Sequence, residues 1–393
     1  MLYYLQGLIG SKVGYNLFKL KSSSLSCQVE NICQLPVIIN NKSTVELIVH
    51  NCISISRADW DAHETSWDFK ENELLRTFKE ESELSGNNPQ LHLIDVLVEY
   101  YKSHWEECFE QLLQNEEELN RQFIEIYGLQ NELTPDVPLN EITILQQGEI
   151  TITDNNIQWN DDVLIKQLIS YAVGVWMGRY RLDKPGLHIA HPNPTADELA
   201  PYDYSGNQVC IDDDGLIPIL PNNSPFEDNL YSRIADFIRI VFGEENLAEN
   251  LNFMEECLVM SIEQYVMRDF WKDHLKMYKN RPIYWLFSSK KGAFKCLAYM
   301  HRMDAYTAER VRQNYLLKYI DFLKNQVLVL EAKAALLTTA ENRQLQKLRK
   351  DLAECEEYHD RLQVVAERAI AFDLDDGVIV NYAKFGDVLA KIK

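Results

Sequence analysis

Apolar residues recur at helical spacing along most of the chain, and in two runs they alternate three and four apart. Leu316, Ile320, Leu323, Val327, Leu330, Ala334 and Leu337 form the first run. Leu345, Leu348, Leu352, Cys355, His359, Leu362, Ala366 and Ala369 form the second. That spacing lays one apolar stripe along each of two long helices, so it predicts an antiparallel coiled-coil hairpin over 305–371. Thr338-Thr-Ala-Glu341 fits a capping box between them, with Thr338 capping and Glu341 reaching back. His359 in the seam reads as a register-setting polar residue rather than a ligand.

Earlier parts of the chain are helical too, with interruptions. Leu2, Leu5, Leu8, Ile9, Val13, Leu17 and Phe18 predict an amphipathic helix that the chain enters without a lead-in, as expected of a segment cut from a larger domain. Short extended pieces from Ser26 to Pro36 follow. Ile94, Leu97, Val98, Tyr101, Trp105, Phe109, Leu112, Leu119 and Phe123 predict a long helix between Pro89 and Tyr127. Isoleucines from Ile142 to Ile157 suggest short strands or connectors, and Val163 to Tyr180 returns to helix. Seven prolines make 184–226 a loop-rich insertion. Helical spacing resumes from Leu230 to Leu275.

The stretch Arg281–Phe294 joins that middle to the hairpin. Tyr284, Trp285 and Phe287 suit a buried strand, Ser288 to Gly292 break it, and Ala293 to His301 is expected to restart as a helix. A strand, a basic turn and a helix N-terminus make an anion site, because free N–H groups point outward there. The plainer alternative is a core strand beside a solvated turn. Beyond Asp373 a tail is expected to fold back through Val380, Tyr382, Phe385 and Leu389. The expected fold is mainly α with small α+β parts, divided into 1–55, 56–160, 161–304, 305–371 and 372–393.

Composition agrees with a protein that buries a sizeable core: 46% of its 393 residues are hydrophobic and 25% charged. That length suffices for two or three domains. No run approaches the ~20 apolar residues of a membrane span. Leu2 to Ile9 lacks the basic flank and cleavage site of a signal peptide. Eight scattered cysteines without a C-x-x-C pair fit free thiols in a reducing cytoplasm.

Charge changes the picture more. The net charge of −21 hides an asymmetry. Residues 59–142 hold 21 acidic and 5 basic residues, a balance of −16, whereas 281–350 hold 14 basic and 5 acidic, a balance of +9. The first part repels phosphate backbones; the second attracts them.

Several clusters offer chemistry and fall short of a motif. His188 and His191, with Cys210 and Asp212 to Asp214, supply metal-ligand types without a second tight pair. Asp373, Asp375 and Gly377 resemble the middle of a calcium loop that lacks its terminal Glu. Asp59, Asp61, Glu64 and Asp68 cluster as nuclease carboxylates do, but no Glu-x-Lys partner lies near them.

Larger pieces carry a family resemblance. Gly7-Leu-Ile-Gly-Ser-Lys-Val13, followed by Gln28-Val29, Asn31-Ile32 and Leu35-Pro36, resembles the end of a target-recognition domain in large adenine-specific DNA methyltransferases. Ser56-Arg-Ala-Asp-Trp-Asp-Ala-His-Glu-Thr-Ser-Trp-Asp-Phe69 resembles the segment after that domain in the PglX family of BREX phage-defence systems and in type IIG restriction–modification enzymes. Glu118–Leu129, the stretch from Arg281, and Asp373–Tyr382 match in the same order, so the resemblance covers nearly the whole chain.

The resemblance implies an N6-adenine DNA methyltransferase that uses S-adenosylmethionine. Its Gly-rich donor loop and its Asn-Pro-Pro-Tyr motif, which stacks the flipped base, are absent here; Asn193-Pro194-Thr195 shares two letters only. In the family both lie in a domain that would precede Met1, so this chain alone is expected to be inactive. It would be a C-terminal recognition and scaffold portion meeting double-stranded DNA through the full enzyme. It could instead be a stand-alone interaction module, or one subunit of a split restriction–modification enzyme with a separate catalytic chain. The candidate phosphate contacts are Lys12, Lys19, Lys21, Arg179, Arg181, Lys290, Lys291, Lys295 and Arg302.

Overall fold

A computed structural model describes residues 1–21, 29–86, 88–333, 337–371 and 373–392. Ser26 to Gln28 and Ala334, which the patterns above used, lie outside the described residues. The protein is 59% helical, with small antiparallel sheets, so its class is mainly α with small α+β parts. In chain order the helices are α1 (Leu2–Gly10), α2 (Lys12–Lys21), α3 (Val29–Cys33), α4 (Lys42–Asp61), α5 (Glu73–Ser85), α6 (Ile94–Tyr127), α7 (Asp161–Trp176) and α8 (Leu230–Phe242). They continue as α9 (Leu247–Leu258), α10 (Ile262–Arg268), α11 (Phe270–Met277), α12 (Thr307–Arg310), α13 (Leu317–Glu331), α14 (Thr339–Glu367) and α15 (Val378–Ala383). The strands are β1 (Ile150–Thr153), β2 (Asn156–Trp159), β3 (Tyr202–Tyr204), β4 (Asn207–Val209), β5 (Leu216–Pro218), β6 (Tyr284–Ser288) and β7 (Lys295–Tyr299). Among the described residues no helix is long and apolar enough to cross a membrane.

The chain forms two compact units, Met1–Asp68 with Val96–Leu164, and Phe69–Asp95 with Ile165–Lys393. In the first, Tyr4, Leu8 and Val13 pack with Val45 and Val49 of α4 and with Leu119 and Phe123 of α6. The single helix expected over Leu2–Phe18 is two. Ser11 breaks it, donating its hydroxyl to Leu8 O at 2.7 Å and accepting from the Gly14 N–H at 3.2 Å. A Cβ at Gly14 would lie 1.9 Å from Leu8 O, so only glycine permits the corner. The Asn120 side chain caps the next helix by accepting from the Lys12 N–H at 2.8 Å.

In the second unit β7 is the middle of a sheet ordered β5-β7-β6. Here the expected helix over Ala293–His301 is corrected: Lys295–Tyr299 is a strand paired antiparallel with Tyr284–Ser288, with Trp285 opposite Ala298. Both sheet faces are buried, so its side chains show no polar–apolar alternation and periodicity could not separate strand from helix. One face, with Trp285, Phe287, Cys296 and Ala298, packs among α13, α14 and the tail. On the other, the Tyr284 ring lies 4.9 Å from that of His274.

The helices α13 and α14 share that core through Tyr319, Ile320, Leu323, Cys355, Tyr358 and Leu362. The capping box at Thr338 and Glu341 is present. Tyr358 is fully buried while His359 faces Arg312, because α14 packs on the sheet as well as on α13. Ala369, expected in the seam, is exposed with φ 44°. The tail returns to the body, with Ala390 N–H donating to Leu286 O at 2.8 Å and Tyr358 OH to Val388 O at 2.7 Å. Tyr382, Phe385 and Leu389 are buried as expected, but Val380 is 55% exposed and Val388 fills the position in the core instead.

Candidate nucleic-acid interface

The turn between β6 and β7 is tight because its backbone closes on itself. Ser289 N–H donates to Phe294 O at 3.0 Å, Gly292 N–H donates to Ser289 O at 3.1 Å, and Gly292 takes φ +80°. Three further donors converge on one atom. Glu354 Oε1 of α14 accepts from Ser289 Oγ at 2.6 Å, from Lys291 N–H at 2.6 Å and from Ala293 N–H at 3.3 Å. Burial opposes ionisation of Glu354, but these bonds outweigh it and hold its carboxyl below the usual carboxylate range. The helix N-terminus of the expected anion site is absent, and the donors of the turn bond the carboxylate of Glu354 instead.

Around the turn the side chains are basic. Lys290 and Lys291 are exposed at its tip. Arg343, Lys347 and Lys350 of α14 are exposed as well. Their spacing of four and three puts them on one helix face over about 10 Å of rise. None of these five makes an ion pair among those of the described residues, unlike Arg349, which bonds Glu331 at 2.7 Å. A groove of about 510 Å³ runs between the turn and α14, bordered by Lys290, Lys291, Lys347 and Lys350 and by the carboxylates Asp351, Glu354 and Glu357. A second, of about 1120 Å³, lies on the other side of the turn between Lys290, Arg361 and Lys391. Arg361 is neutralised by Asp387 at 2.9 Å. Arg343, Lys347, Lys350 and Lys391 were not among the residues singled out from sequence, although Arg343-x₃-Lys347-x₂-Lys350 carries the one-face signal.

Other candidate contacts lie elsewhere. Arg179 and Arg181 are each only 8% exposed. Arg179 donates to Tyr180 OH at 3.0 Å, and Arg181 makes a two-pronged bond to Asp183 at 2.7 Å, so burial takes both off the candidate surface. Lys295 donates to Met267 O, and burial pushes its amine pKa down. Arg302 donates to Asp213 O at 2.9 Å. Lys12 is tied to Asp136 O, whereas Lys19 and Lys21 are exposed on α2 in the first unit.

The acidic clusters are absorbed by structure. Asp59 accepts from Leu145 N–H at 2.8 Å and Asp61 from Ser66 Oγ at 2.8 Å. Asp373 caps the turn at Asp375 N–H at 3.0 Å. His188 and His191 both turn to Glu198, at 2.8 Å each. Among the described residues only Asp212, Asp213 and Asp214 bring three possible metal-ligating atoms together. Asp212 is already held by Arg233 at 3.0 Å and by the Gly215 and Leu216 N–H groups. Burial, with Asp212 and Asp213 beside it, pushes the Asp214 carboxyl up to about 7.

No protein-family model matches the chain. Two curated proteins are similar to it. The adenine-specific methyltransferase BrxX of Escherichia coli O9:H4 (strain HS) is 38% identical over 404 residues, covering 95% of this chain and 32% of that protein. The adenine-specific methyltransferase PglX of Lacticaseibacillus casei (strain Zhang) is 31% identical over 392 residues, covering 96% of this chain and 30% of that protein. The chain thus spans about a third of the length of each. Over nearly all of its own length it is related to PglX-type adenine-specific methyltransferases.

Proposed function

We propose that this chain is the DNA-handling and scaffold portion of a PglX-type N6-adenine DNA methyltransferase of a phage-defence system. It grips double-stranded DNA by its phosphates while methyl transfer from S-adenosylmethionine occurs in another part of the enzyme. The observation that carries the reading is the unpaired basic face Arg343, Lys347 and Lys350 across a groove from Lys290 and Lys291. Cations of this kind position a protein on a duplex without reading its sequence. The two helices α13 and α14, read as a coiled-coil hairpin, hold that face rigid.

The reading assigns methyl-donor binding and base flipping to another part of the enzyme. The nearest approach to the base-binding motif, Asn193-Pro194-Thr195, has Asn193 in the left-handed region. Thr195 there is committed to Glu198 through its N–H at 2.7 Å and its hydroxyl at 2.8 Å. No chemical step is therefore assigned to this chain. Fluorescence anisotropy with a labelled duplex tests the reading. Affinity should fall steeply with salt, and reversal of the five cations should flatten that slope by about one unit per lost phosphate contact. A wild-type chain that ignores duplex at low salt overturns it.

A second reading, docking of a catalytic methyltransferase chain, is favoured by a separate observation. Of the 23 exposed large hydrophobics among the described residues, 13 lie between Met1 and Trp67. A contiguous apolar surface marks a protein-binding site, and co-purification with that chain tests whether these residues serve as one.

A further inference from the structure

We propose that the Ser289–Ala293 turn is a seat for a phosphate oxygen, and that Glu354 is the protein's own anion occupying it when no nucleic acid is bound. The proposal rests on the DNA-handling reading and deepens it. Three donors from one short turn meet a single carboxylate oxygen within 2.6 to 3.3 Å. Successive N–H groups in a turn form a concavity that suits oxyanions in general, phosphate as well as carboxylate. The turn keeps this shape by its own bonds, since Ser289 Oγ also accepts from Phe294 N–H at 3.0 Å and Gly292 takes a φ that favours glycine. It therefore does not depend on Glu354 to exist.

Access and charge point the same way. Grooves open on both sides of the turn, and both are bordered by Lys290, Lys291 and Gly292. A phosphodiester lying in the smaller groove meets Lys347 and Lys350 on its far wall. Its oxygen can take the place of Glu354 Oε1, and the released side chain, half-buried, is already beside open solvent. Exchange of one anion for another leaves no buried donor unsatisfied, which is the condition for a latch to open at modest cost.

The test compares two carboxylates of equal charge that border the same groove. Glu357 also lines both grooves but makes none of the turn's hydrogen bonds; its neighbour is Arg361 at 3.9 Å. Duplex DNA and inorganic phosphate are titrated against the full chain and against Glu354→Ala and Glu357→Ala, with thermal melts to verify folding. Glu354→Ala should bind duplex about fivefold to tenfold tighter than Glu357→Ala, the net worth of one typical hydrogen bond. It should also acquire phosphate binding that the wild type and Glu357→Ala lack, and Ser289→Ala added to Glu354→Ala should remove both gains. Should the alanine variant unfold, Glu354→Gln against Glu357→Gln asks the same question without loss of side-chain volume. Equal gains from the two positions, or no phosphate binding by the Glu354 variant, overturn the seat. Phosphate binding by that variant with no duplex binding by any form keeps the seat and rejects the DNA-handling reading.

Discussion

Two stretches of this chain carry opposite excesses of charge and distribute them differently. In residues 59–142 four of the five cations bond carboxylates: Arg76 bonds Glu73 and Glu80, Lys102 bonds Glu99 at 3.0 Å and Asp161 at 2.9 Å, Lys79 bonds Glu71, and Arg121 bonds Glu118. The surplus carboxylates then spread along helices such as α6, whose one stripe is core. In residues 281–350 the few carboxylates take cations near the body instead. Asp304 bonds Arg310 at 3.0 Å, Glu309 bonds Arg312 at 2.7 Å, and Glu331 bonds Arg349. Of the exposed cations in no ion pair among those of the described residues, Lys290, Lys291, Arg343, Lys347 and Lys350 gather on one turn and one helix face, while Arg281, Lys318 and Lys333 border neither groove beside that turn. An excess of charge becomes a candidate site when the pairing leaves its remainder in one place, and net charge alone does not reveal that.

The comparison can be broken at several depths. The largest effect should come from the core beneath the basic turn. Trp285 is fully buried, with its ring 5.2 Å from Tyr382 and 5.6 Å from Phe385. Trp285→Ala should cost about 3–5 kcal/mol in urea denaturation. If the loss is under about 1 kcal/mol, in the range of surface substitutions, the sheet is not the support of the turn. Next comes the surface. Reversing Lys290, Lys291, Arg343, Lys347 and Lys350 to Glu should weaken duplex binding at least about tenfold near 0.1 M salt, since each lost phosphate contact is salt-linked. Reversing the exposed Lys19 and Lys21 on α2 should change it far less, and an equal loss would move the interface to the first unit.

Smaller effects sharpen the contrast. Thr338→Ala removes the cap of α14 and should cost about 1 kcal/mol, measured by thermal unfolding. In the acidic part, His63 bonds the buried Glu149 at 2.8 Å. Burial disfavours the imidazolium, but Glu149 and Asp59 outweigh it and raise the His63 pKa. A folded pKa above the unfolded one gives stability that is fully present below about pH 6.5 and is lost as pH rises through the raised value. Wild type should therefore lose stability relative to His63→Gln as pH rises above about 6.5, and parallel curves would show that the pair carries no proton-linked stability.

Much of this was legible along the chain. The 3–4 alternation located α13 and α14, the Thr-x-x-Glu signature located the cap, and the run of prolines marked the loop-rich insertion. These signals are local: helix period, capping and ring constraint act within a few residues. The family relation was legible for a different reason, because it was read from strings of residues rather than from periodicity. The turn was half legible. Its basic residues were legible, but the helix N-terminus behind the expected anion site is absent, since the element after the turn is a strand buried on both faces and carries no alternating pattern.

The sequence by itself determined that the protein is mainly helical, that its charge is divided between two regions, and that a basic turn follows an aromatic strand. Tertiary structure decided the partners. Glu354 lies 63 residues from Lys291, and no local rule joins them. Arg179 and Arg181 look like surface cations in the chain and are buried in the fold. Lys347 and Lys350 look like ordinary helix charges and border a groove. Pairing and burial depend on which elements meet, so the remainder of charge that can face a ligand is settled only when the chain is folded.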